Sequence, residues 1–181
     1  MLNTNLEKLK FPVGKFVKPT HFTAEILRRY ISDIETFPQR LKFEVEKLTD
    51  EQLTTEYRPG GWTIRQVVHH CADSHMNCLI RFKLTLTEEK PTIKPYLEDR
   101  WAELPDTKTM PVEPSLKLLE GLHARWVVLL KSLSQLDLKK TVVHPQHDKE
   151  FALDELMGLY AWHCNHHLAH VTTLKERKGW K

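Results

Sequence analysis

Apolar residues recur at helical spacing in four long stretches of this chain, and that periodicity limits the fold more than any other feature. The stretches cover residues 20–48, 64–87, 113–133 and 154–178. Residues three, four and seven apart share one face of a helix, so each stretch predicts an amphipathic helix. Four such helices predict an all-α protein, a four-helix bundle whose long inter-helix loops permit several topologies. Within the first stretch, Pro38 is expected to end or kink the helix.

Two capping boxes mark helix starts. Gln52 follows three residues after Thr49, and Gln66 follows three residues after Thr63. In this motif the threonine oxygen accepts from a free backbone N–H while the glutamine side chain reaches back. The first box predicts a short helical turn. The second predicts that the second long helix starts at Ile64.

The segments between the long helices carry separate predictions. Residues 1–19 contain two prolines and a glycine and are expected to form an extended arm. Residues 88–114 hold five prolines, and a loop of this length in a compact domain is typical of a lid or an interface. Residues 141–143 and 150–152 are separated by His144–Lys149, and they predict a small β-hairpin before the last helix.

Length and composition predict a single domain covering residues 1–181. The net charge is only +3, with basic residues interspersed among acidic ones, which argues against nucleic acid as a partner. The chain shows neither a signal-peptide pattern nor a stretch of roughly 20 apolar residues, so we expect a cytoplasmic protein that does not enter the membrane. Its three cysteines, Cys71, Cys78 and Cys164, lack metal-binding spacing and are expected to be buried free thiols.

Four of the eleven histidines lie between Trp162 and His170, on the last predicted helix. His163, His167 and His170 fall on one stripe of that helix, and His166 with His170 forms a second, overlapping pair. A His-x-x-x-His pair can give two imidazoles to one divalent ion. The structural alternative is a set of polar helix positions and core histidines. Two ligands do not complete a site, so another helix must supply a third.

The second predicted helix also carries histidines, and a bundle builds metal sites from side chains that facing helices project inward. His69 and His70 point about 100 degrees apart on this helix, so only one of them can face the stripe. His70 shares a face with Ile64 and Val67, whereas His69 lies with Arg65 on the more polar side. The pattern favours His70 as the third ligand.

Five blocks of the sequence form a recognisable set: Gly60–His70, Ala72–Asn77, Arg81–Leu84, Gly158–His163 and His166–His170. Together they resemble the YfiT branch of the DinB superfamily, and the similarity extends over nearly the whole chain. The resemblance implies a metal-binding four-helix bundle. It further implies one ligand eight residues after a tryptophan and a His-x-x-x-His pair on the last helix. In this sequence the tryptophan is Trp62, and the implied ligands are His70, His163 and His167.

This assignment leaves His69, His166 and His170 as neighbours of the metal rather than ligands. The register that pairs His166 with His170 has the same spacing and stays open as an alternative. Three imidazoles leave at least one coordination position for water or substrate, as in catalytic zinc sites. We expect one divalent ion per chain, zinc by preference and nickel as the alternative.

The resemblance implies a metal-dependent hydrolase that activates water against a small-molecule substrate. One alternative is a thiol S-transferase that conjugates a low-molecular-weight thiol such as bacillithiol. Another is a bundle that holds metal without turnover. No glutamate stands beside the histidine stripe, so His170, one turn after His167, is the candidate general base.

Two further expectations concern the surroundings of the site and the assembly. Asp73 is either an outer partner of His70 or a solvent-facing carboxylate. The proline-rich segment, with Tyr96 and Trp101, and the N-terminal arm offer apolar surface beyond the needs of a bundle. That surface predicts a homodimer, and the resemblance points the same way.

Overall fold

The computed structural model describes residues 2–145 and 149–181. In chain order its elements are α1 (Leu2–Lys10), α2 (Ala24–Val45), α3 (Asp50–Leu53), α4 (Ile64–Thr87), α5 (Glu98–Trp101), α6 (Pro105–Thr109), α7 (Glu113–Ser132), a 3-10 turn (Asp137–Lys139), β1 (Thr141–His144), β2 (Lys149–Ala152) and α8 (Leu153–Lys178). The predicted four-helix bundle is confirmed, with α2, α4, α7 and α8 as its members. Among the described residues, no helix combines the length and apolar character needed to cross a membrane.

The four long helices surround one core in a defined order. Helix α2 packs against α7 and α8, and α4 packs against the same two helices. The consecutive long helices α2 and α4 therefore stand diagonally across the bundle, as do α7 and α8. The long connections, residues 46–63 and 133–152, allow these crossings. This order, which periodicity left open, puts α4 and α8 side by side, and these two helices carry most of the histidines.

The core consists of side chains that the long helices bury on their facing stripes. The largest fully buried ones include Phe37 on α2, Phe82 on α4 and Trp126 on α7. Burying a side chain of this kind stabilises the fold by roughly 1.5–3 kcal/mol. The three cysteines are buried and free, as the sequence predicts.

Both predicted capping boxes form. Thr63 Oγ1 accepts from the Gln66 amide at 3.2 Å, and Gln66 Oε1 accepts from the Thr63 amide at 2.9 Å. The same glutamine donates through Nε2 to the Ala102 carbonyl oxygen at 2.8 Å. These bonds fix the start of α4 at Ile64, as predicted, and thereby set the position of His70 along the helix.

The prediction that Pro38 could end its helix is wrong, because α2 is continuous from Ala24 to Val45. The helix also begins later than its apolar periodicity suggests. Thr23 caps it, with Oγ1 accepting from the Ile26 amide at 3.2 Å. Pro38 is buried within the helix, where its effect is on hydrogen bonding rather than on helix length.

Two segments predicted to be extended or irregular contain helix. The extended-arm prediction is wrong for residues 2–10, which form α1, because the helix breakers of this segment begin only at Pro12. The proline-rich segment contains α5 and α6, and Pro105 stands in the first turn of α6, where a missing N–H is tolerated. Tyr96 and Trp101 of this segment contact each other, with ring centroids 4.6 Å apart.

The predicted β-hairpin before the last helix is confirmed. Strands β1 and β2 pair antiparallel, with Thr141 opposite Ala152 and His144 opposite Lys149. The chain near residue 91 adjoins the hairpin, where the Val143 amide donates to the Pro91 carbonyl oxygen at 2.9 Å. The proline-rich segment is thus joined to the element that precedes α8.

Candidate metal centre

Three imidazoles from two neighbouring helices converge between α4 and α8. Helix α4 supplies His70, and α8 supplies His163 and His167, with one nitrogen of each within 4.8 Å of the others. His163 and His167 meet because residues four apart share a helix face. His70 joins them because α4 and α8 pack side by side. The structure therefore brings together the three residues predicted as ligands.

The spacing of the nitrogen atoms suits a divalent metal ion. His70 Nε2 lies 3.2 Å from His163 Nε2. Two nitrogens bound to one tetrahedral zinc at their usual distances stand about 3.4 Å apart. Only a small movement of the two rings would therefore let them share an ion. A set of imidazole ligands suits zinc and also nickel, copper or iron.

Burial keeps the three candidate ligands neutral. It lowers the pKa of His70 to about 3, with a smaller contribution from nearby His166. Burial also lowers the pKa of His163 and His167 well below the ordinary value of 6.5, and neighbouring imidazoles add to this effect. A metal binds the unprotonated ring nitrogen, so these lone pairs are available at neutral pH.

A row of hydrogen bonds runs from His163 into the core. His163 Nδ1 lies 3.0 Å from His75 Nε2, and His75 Nδ1 lies 2.7 Å from His123 Nε2. His123 Nδ1 donates to the Ile34 carbonyl oxygen at 2.6 Å. Neither His75 nor His123 was predicted from the sequence to take part in the site. Their only sequence signal is a position on the buried stripes of α4 and α7, and a lone histidine there predicts a core residue.

A second group of three imidazoles adjoins the first. His166, His167 and His170 also bring one nitrogen each within 4.8 Å of the others, so His167 belongs to both groups. The Nδ1 atoms of these three residues are buried and have no hydrogen-bond partner among the described residues. The alternative register is therefore also compact. It draws all its nitrogens from α8, whereas the first group joins two helices.

His170, the candidate base, lies on the wall of a cavity over the histidines. Its Nε2 contacts the Lys10 carbonyl oxygen at 3.1 Å. A carbonyl oxygen can only accept, so Nε2 carries the hydrogen and Nδ1 keeps the lone pair. Burial, and to a lesser extent His166, lowers the pKa of His170 to about 3. The Nδ1 lone pair is therefore unprotonated at neutral pH.

His69 and Asp73, two predicted neighbours of the site, belong to neither histidine group. His69 is buried rather than on an open polar face, and it contacts Ser115 Oγ at 2.7 Å and the Met110 carbonyl oxygen at 3.3 Å. Asp73 is half-buried, and burial together with the Asp106 carboxylate raises its pKa to about 6. The contacts with Ser115 and Met110 direct His69 toward α7 and away from α8.

A cavity of about 480 Å³ opens over the histidines. Its walls combine aromatic rings with two guanidinium groups, from Tyr57, Trp62, Tyr160, Trp162, Arg58 and Arg81. The proline-rich segment contributes Tyr96, Glu98 and Asp99. The loop predicted as a lid or an interface thus forms part of the cavity wall. A space of this size accommodates a small molecule.

Comparisons with known proteins agree with this architecture. The family model described as the DinB superfamily matches residues 33–171. Proteins of Bacillus mycoides (strain KBAB4) and Bacillus cereus (strain 03BB102), both provisionally named metal-dependent hydrolases, are 52% identical over 175 residues, covering 97% of this chain and 100% of each relative. The solved structure of YfiT from Bacillus subtilis, provisionally described in the same terms with an unusual four-helix bundle topology, matches with a TM-score of 0.94 and 48% identity over 96% of this chain and 99% of that one.

Proposed function

The chain belongs to the DinB superfamily, and from this membership we propose that it is a metal-dependent hydrolase that acts on a small molecule. The observation that carries the proposal is the convergence of His70, His163 and His167, whose nitrogens lie within 4.8 Å of one another beside a cavity of about 480 Å³. The provisional names of the relatives support the same reaction class.

In this proposal His70, His163 and His167 hold one divalent ion per chain, zinc by preference and nickel as the alternative. Three protein nitrogens leave a coordination position open, which is typical of catalytic rather than structural zinc sites. When bound, the ion supplies Lewis acidity, which lowers the pKa of water and polarises a carbonyl group.

The side chains of the protein orient the ligands and handle the proton. Trp62 packs against His70 and His167, with ring centroids 4.6 Å and 6.4 Å away, and so limits the rotation of both imidazoles. His170 is the proposed base, since its Nδ1 keeps a lone pair while Nε2 bonds to the Lys10 carbonyl oxygen. Burial lowers the pKa of His170 to about 3, so this nitrogen is unprotonated at neutral pH, which is the state that a base needs.

The lining of the cavity favours a polar small molecule with an apolar or aromatic part. Aromatic rings can stack on such a part. Arg58 Nε donates to the Tyr57 hydroxyl at 3.2 Å, and Arg81 Nη1 donates to the Tyr160 hydroxyl at 3.5 Å. These neutral partners leave both positive charges available to a substrate, and acidic side chains of the proline-rich segment stand in the same cavity. Substrates with charged groups therefore suit this cavity better than hydrocarbons.

The test is hydrolysis of a panel of activated esters and amides by metal-loaded protein without any added thiol. The metal-free wild type, and the His163→Ala variant incubated with the same metal, serve as controls. We expect turnover by the loaded wild type alone. Tight metal binding with no turnover of any substrate would contradict the proposal and would favour the non-catalytic bundle.

Thiol S-transfer is the second candidate function, and one observation favours it. Both histidine groups lack a carboxylate among the described residues, and a metal can deprotonate a coordinated thiol without a strong base. The same protein is therefore incubated with a low-molecular-weight thiol and an electrophile. A sulfur-containing conjugate that is lost in His70→Ala, together with no hydrolysis across the panel, would place thiol transfer first.

The proposal includes a cytoplasmic location and no nucleic-acid partner. Some lysines of the described surface are neutralised locally, since Lys18 and Lys149 both pair with the buried carboxylate of Glu155, at 2.5 Å and 2.7 Å. Such pairing reduces the charge available to a polyanion. Cell fractionation and a gel-shift assay with duplex DNA and RNA test these two points, and a shift at physiological salt would contradict the second.

A further inference from the structure

A proline inside α2 leaves a carbonyl group free at the far side of the core. A residue within a helix normally donates its N–H to the carbonyl four residues earlier, and proline has no N–H to donate. Pro38 therefore cannot bond to the Ile34 carbonyl oxygen. Ile34 is fully buried, and a buried carbonyl group needs a partner. His123 of α7 supplies it, with Nδ1 donating at 2.6 Å.

This anchor determines which nitrogen carries the hydrogen in each ring of the row. A neutral imidazole has one donor and one acceptor nitrogen. Because Nδ1 of His123 donates to Ile34, Nε2 of His123 must accept from His75 Nδ1, 2.7 Å away. His75 Nε2 must then accept from His163 Nδ1, 3.0 Å away. The hydrogen of His163 is thereby held on Nδ1, and its lone pair is left on Nε2, which faces His70 Nε2 at 3.2 Å.

We propose that His123 and His75 form a hydrogen-bonded relay that sets the tautomer of His163 before a metal ion binds. The relay is anchored on the Ile34 carbonyl group that Pro38 leaves free. Both are positioning residues, because they act on the site only through His163. The opposite tautomer of His163 would force the whole row to reverse and would put a lone pair of His123 against the Ile34 carbonyl oxygen. The inference rests on the proposed function only in taking His163 as a metal ligand.

The surroundings of His75 and His123 keep both imidazole rings neutral, as the relay requires. His75 and His123 are 0% and 1% exposed. Phe37 packs against both rings, with centroids 5.2 Å and 5.7 Å away. Trp126 covers both rings as well, at 6.1 Å and 5.6 Å. A charged imidazole in such apolar surroundings would be strongly disfavoured, so each ring keeps a single hydrogen.

His170 provides an internal contrast. Its Nε2 bonds to the Lys10 carbonyl oxygen, so the same reasoning puts its hydrogen on Nε2 and its lone pair on Nδ1. The two carbonyl anchors thus specify opposite tautomers for His163 and His170, which are seven residues apart on one helix. A method that determines the tautomers of both residues in one sample therefore includes an internal control.

The first test is nitrogen NMR of histidine-labelled, metal-free wild-type protein, in which protonated and unprotonated ring nitrogens are distinguished by chemical shift. We expect the hydrogen on Nδ1 in His123, His75 and His163, and on Nε2 in His170. A hydrogen on Nε2 of His163 would overturn the proposal. The measurement uses neither metal nor substrate, so it stands apart from the proposed hydrolysis, and it needs no variant that could fail to fold.

The second test distinguishes the effect of the hydrogen bonds in the relay from the effect of simple packing. His123→Gln keeps a donor for Ile34 and an acceptor for His75, whereas His123→Leu removes both. Loss of an outer partner of a metal ligand typically costs about 10–100-fold in affinity. We expect His123→Leu and His75→Leu to weaken zinc binding by about 10-fold or more in competition with a chelator, with His123→Gln close to the wild type.

His69→Leu is the matched control, because His69 is also a buried histidine of α4 but bonds to Ser115, outside the relay. Its zinc affinity should not change. Equal losses in His123→Gln and His123→Leu would assign the effect to packing and overturn the relay. Pro38→Ala adds a competing N–H at the Ile34 carbonyl and should shift the His123 Nδ1 hydrogen resonance, and an unchanged resonance would remove Pro38 from the proposal.

Discussion

The imidazole ring of His170 stacks on the phenol ring of Tyr57, with centroids 3.9 Å apart and planes 20° apart. Together with the bond from His170 Nε2 to the Lys10 carbonyl oxygen, this contact fixes both the plane and the rotation of the ring. Tyr57 precedes α4 in the chain, and Lys10 ends α1. Residues distant in sequence therefore orient the histidine that we propose as the base.

The role of His170 can be tested with His170→Phe, which keeps a ring against Tyr57 and removes the Nδ1 lone pair. We expect kcat to fall by about 100-fold, the lower end of the usual effect of a general base. Steady-state kinetics with the best ester of the panel measures it, after elemental analysis has shown an unchanged metal content. A kcat equal to that of the wild type would exclude His170 as the base.

The metal ligands are tested by single alanine substitutions at His70, His163 and His167. Each variant should lose most of its zinc, because two imidazoles hold a divalent ion much more weakly than three. Elemental analysis after gel filtration measures the zinc content. Full occupancy in His163→Ala would contradict the assignment, and loss of zinc in His166→Ala with retention in His163→Ala would favour the alternative register.

Controls for this series come from histidines outside the group. His69→Ala should keep its zinc because His69 bonds to Ser115 and Met110. His21→Ala should keep it as well, since His21 is exposed near the start of α2. His147→Ala is a further control that should keep its zinc. His147 lies outside the described residues.

Asp73 should make the folded state less stable as pH rises. Burial and Asp106 raise its pKa to about 6, whereas an aspartate in an unfolded chain titrates near 4. Between these values the folded state binds more protons than the unfolded state, so its stability falls with increasing pH. Asp73→Asn removes this cost and should raise the free energy of unfolding by about 1 kcal/mol at pH 7–8, after a discount for partial exposure.

Urea denaturation of metal-free wild type and Asp73→Asn at a series of pH values measures the effect. The difference should vanish below about pH 4, where both carboxyl and amide are neutral. Asp99→Asn, which changes an exposed aspartate, serves as the matched control for the replacement of a carboxylate by an amide. A stability difference for Asp73→Asn that is constant from acid to neutral pH would show that the pKa of Asp73 is not raised in the folded state.

The homodimer remains a prediction, and the exposed apolar residues of two segments support it. Val17 is 80% exposed in the N-terminal segment, and Leu97 is 56% exposed in the proline-rich segment. Light scattering at micromolar concentration should give a mass near twice the 21.3 kDa of one chain. A mass near 21.3 kDa would reject the dimer. Val17→Asp with Leu97→Asp should shift the mass toward the monomer while the helical signal in circular dichroism is retained.

Local features of the fold were predictable because their causes lie within a few residues of sequence. The Thr63 capping box determines the start of α4, and the spacing of four residues puts His163 and His167 on one face of α8. Pro38 shows the limit of this reasoning. As a local signal it predicts that the helix ends or kinks, but the surrounding core holds α2 as one helix and supplies His123 to the carbonyl group that the proline leaves free.

Tertiary structure alone decided the features that depend on how the helices meet. Periodicity gives each helix an apolar face but not its neighbours, so the diagonal placement of α2 and α4 was not predictable from the chain. The role of His75 and His123 depends on three helices approaching within hydrogen-bond distance, and no spacing in one segment encodes that. The sequence therefore determined which side chains were available on each helix face, and packing between distant segments determined which nitrogen atoms face one another.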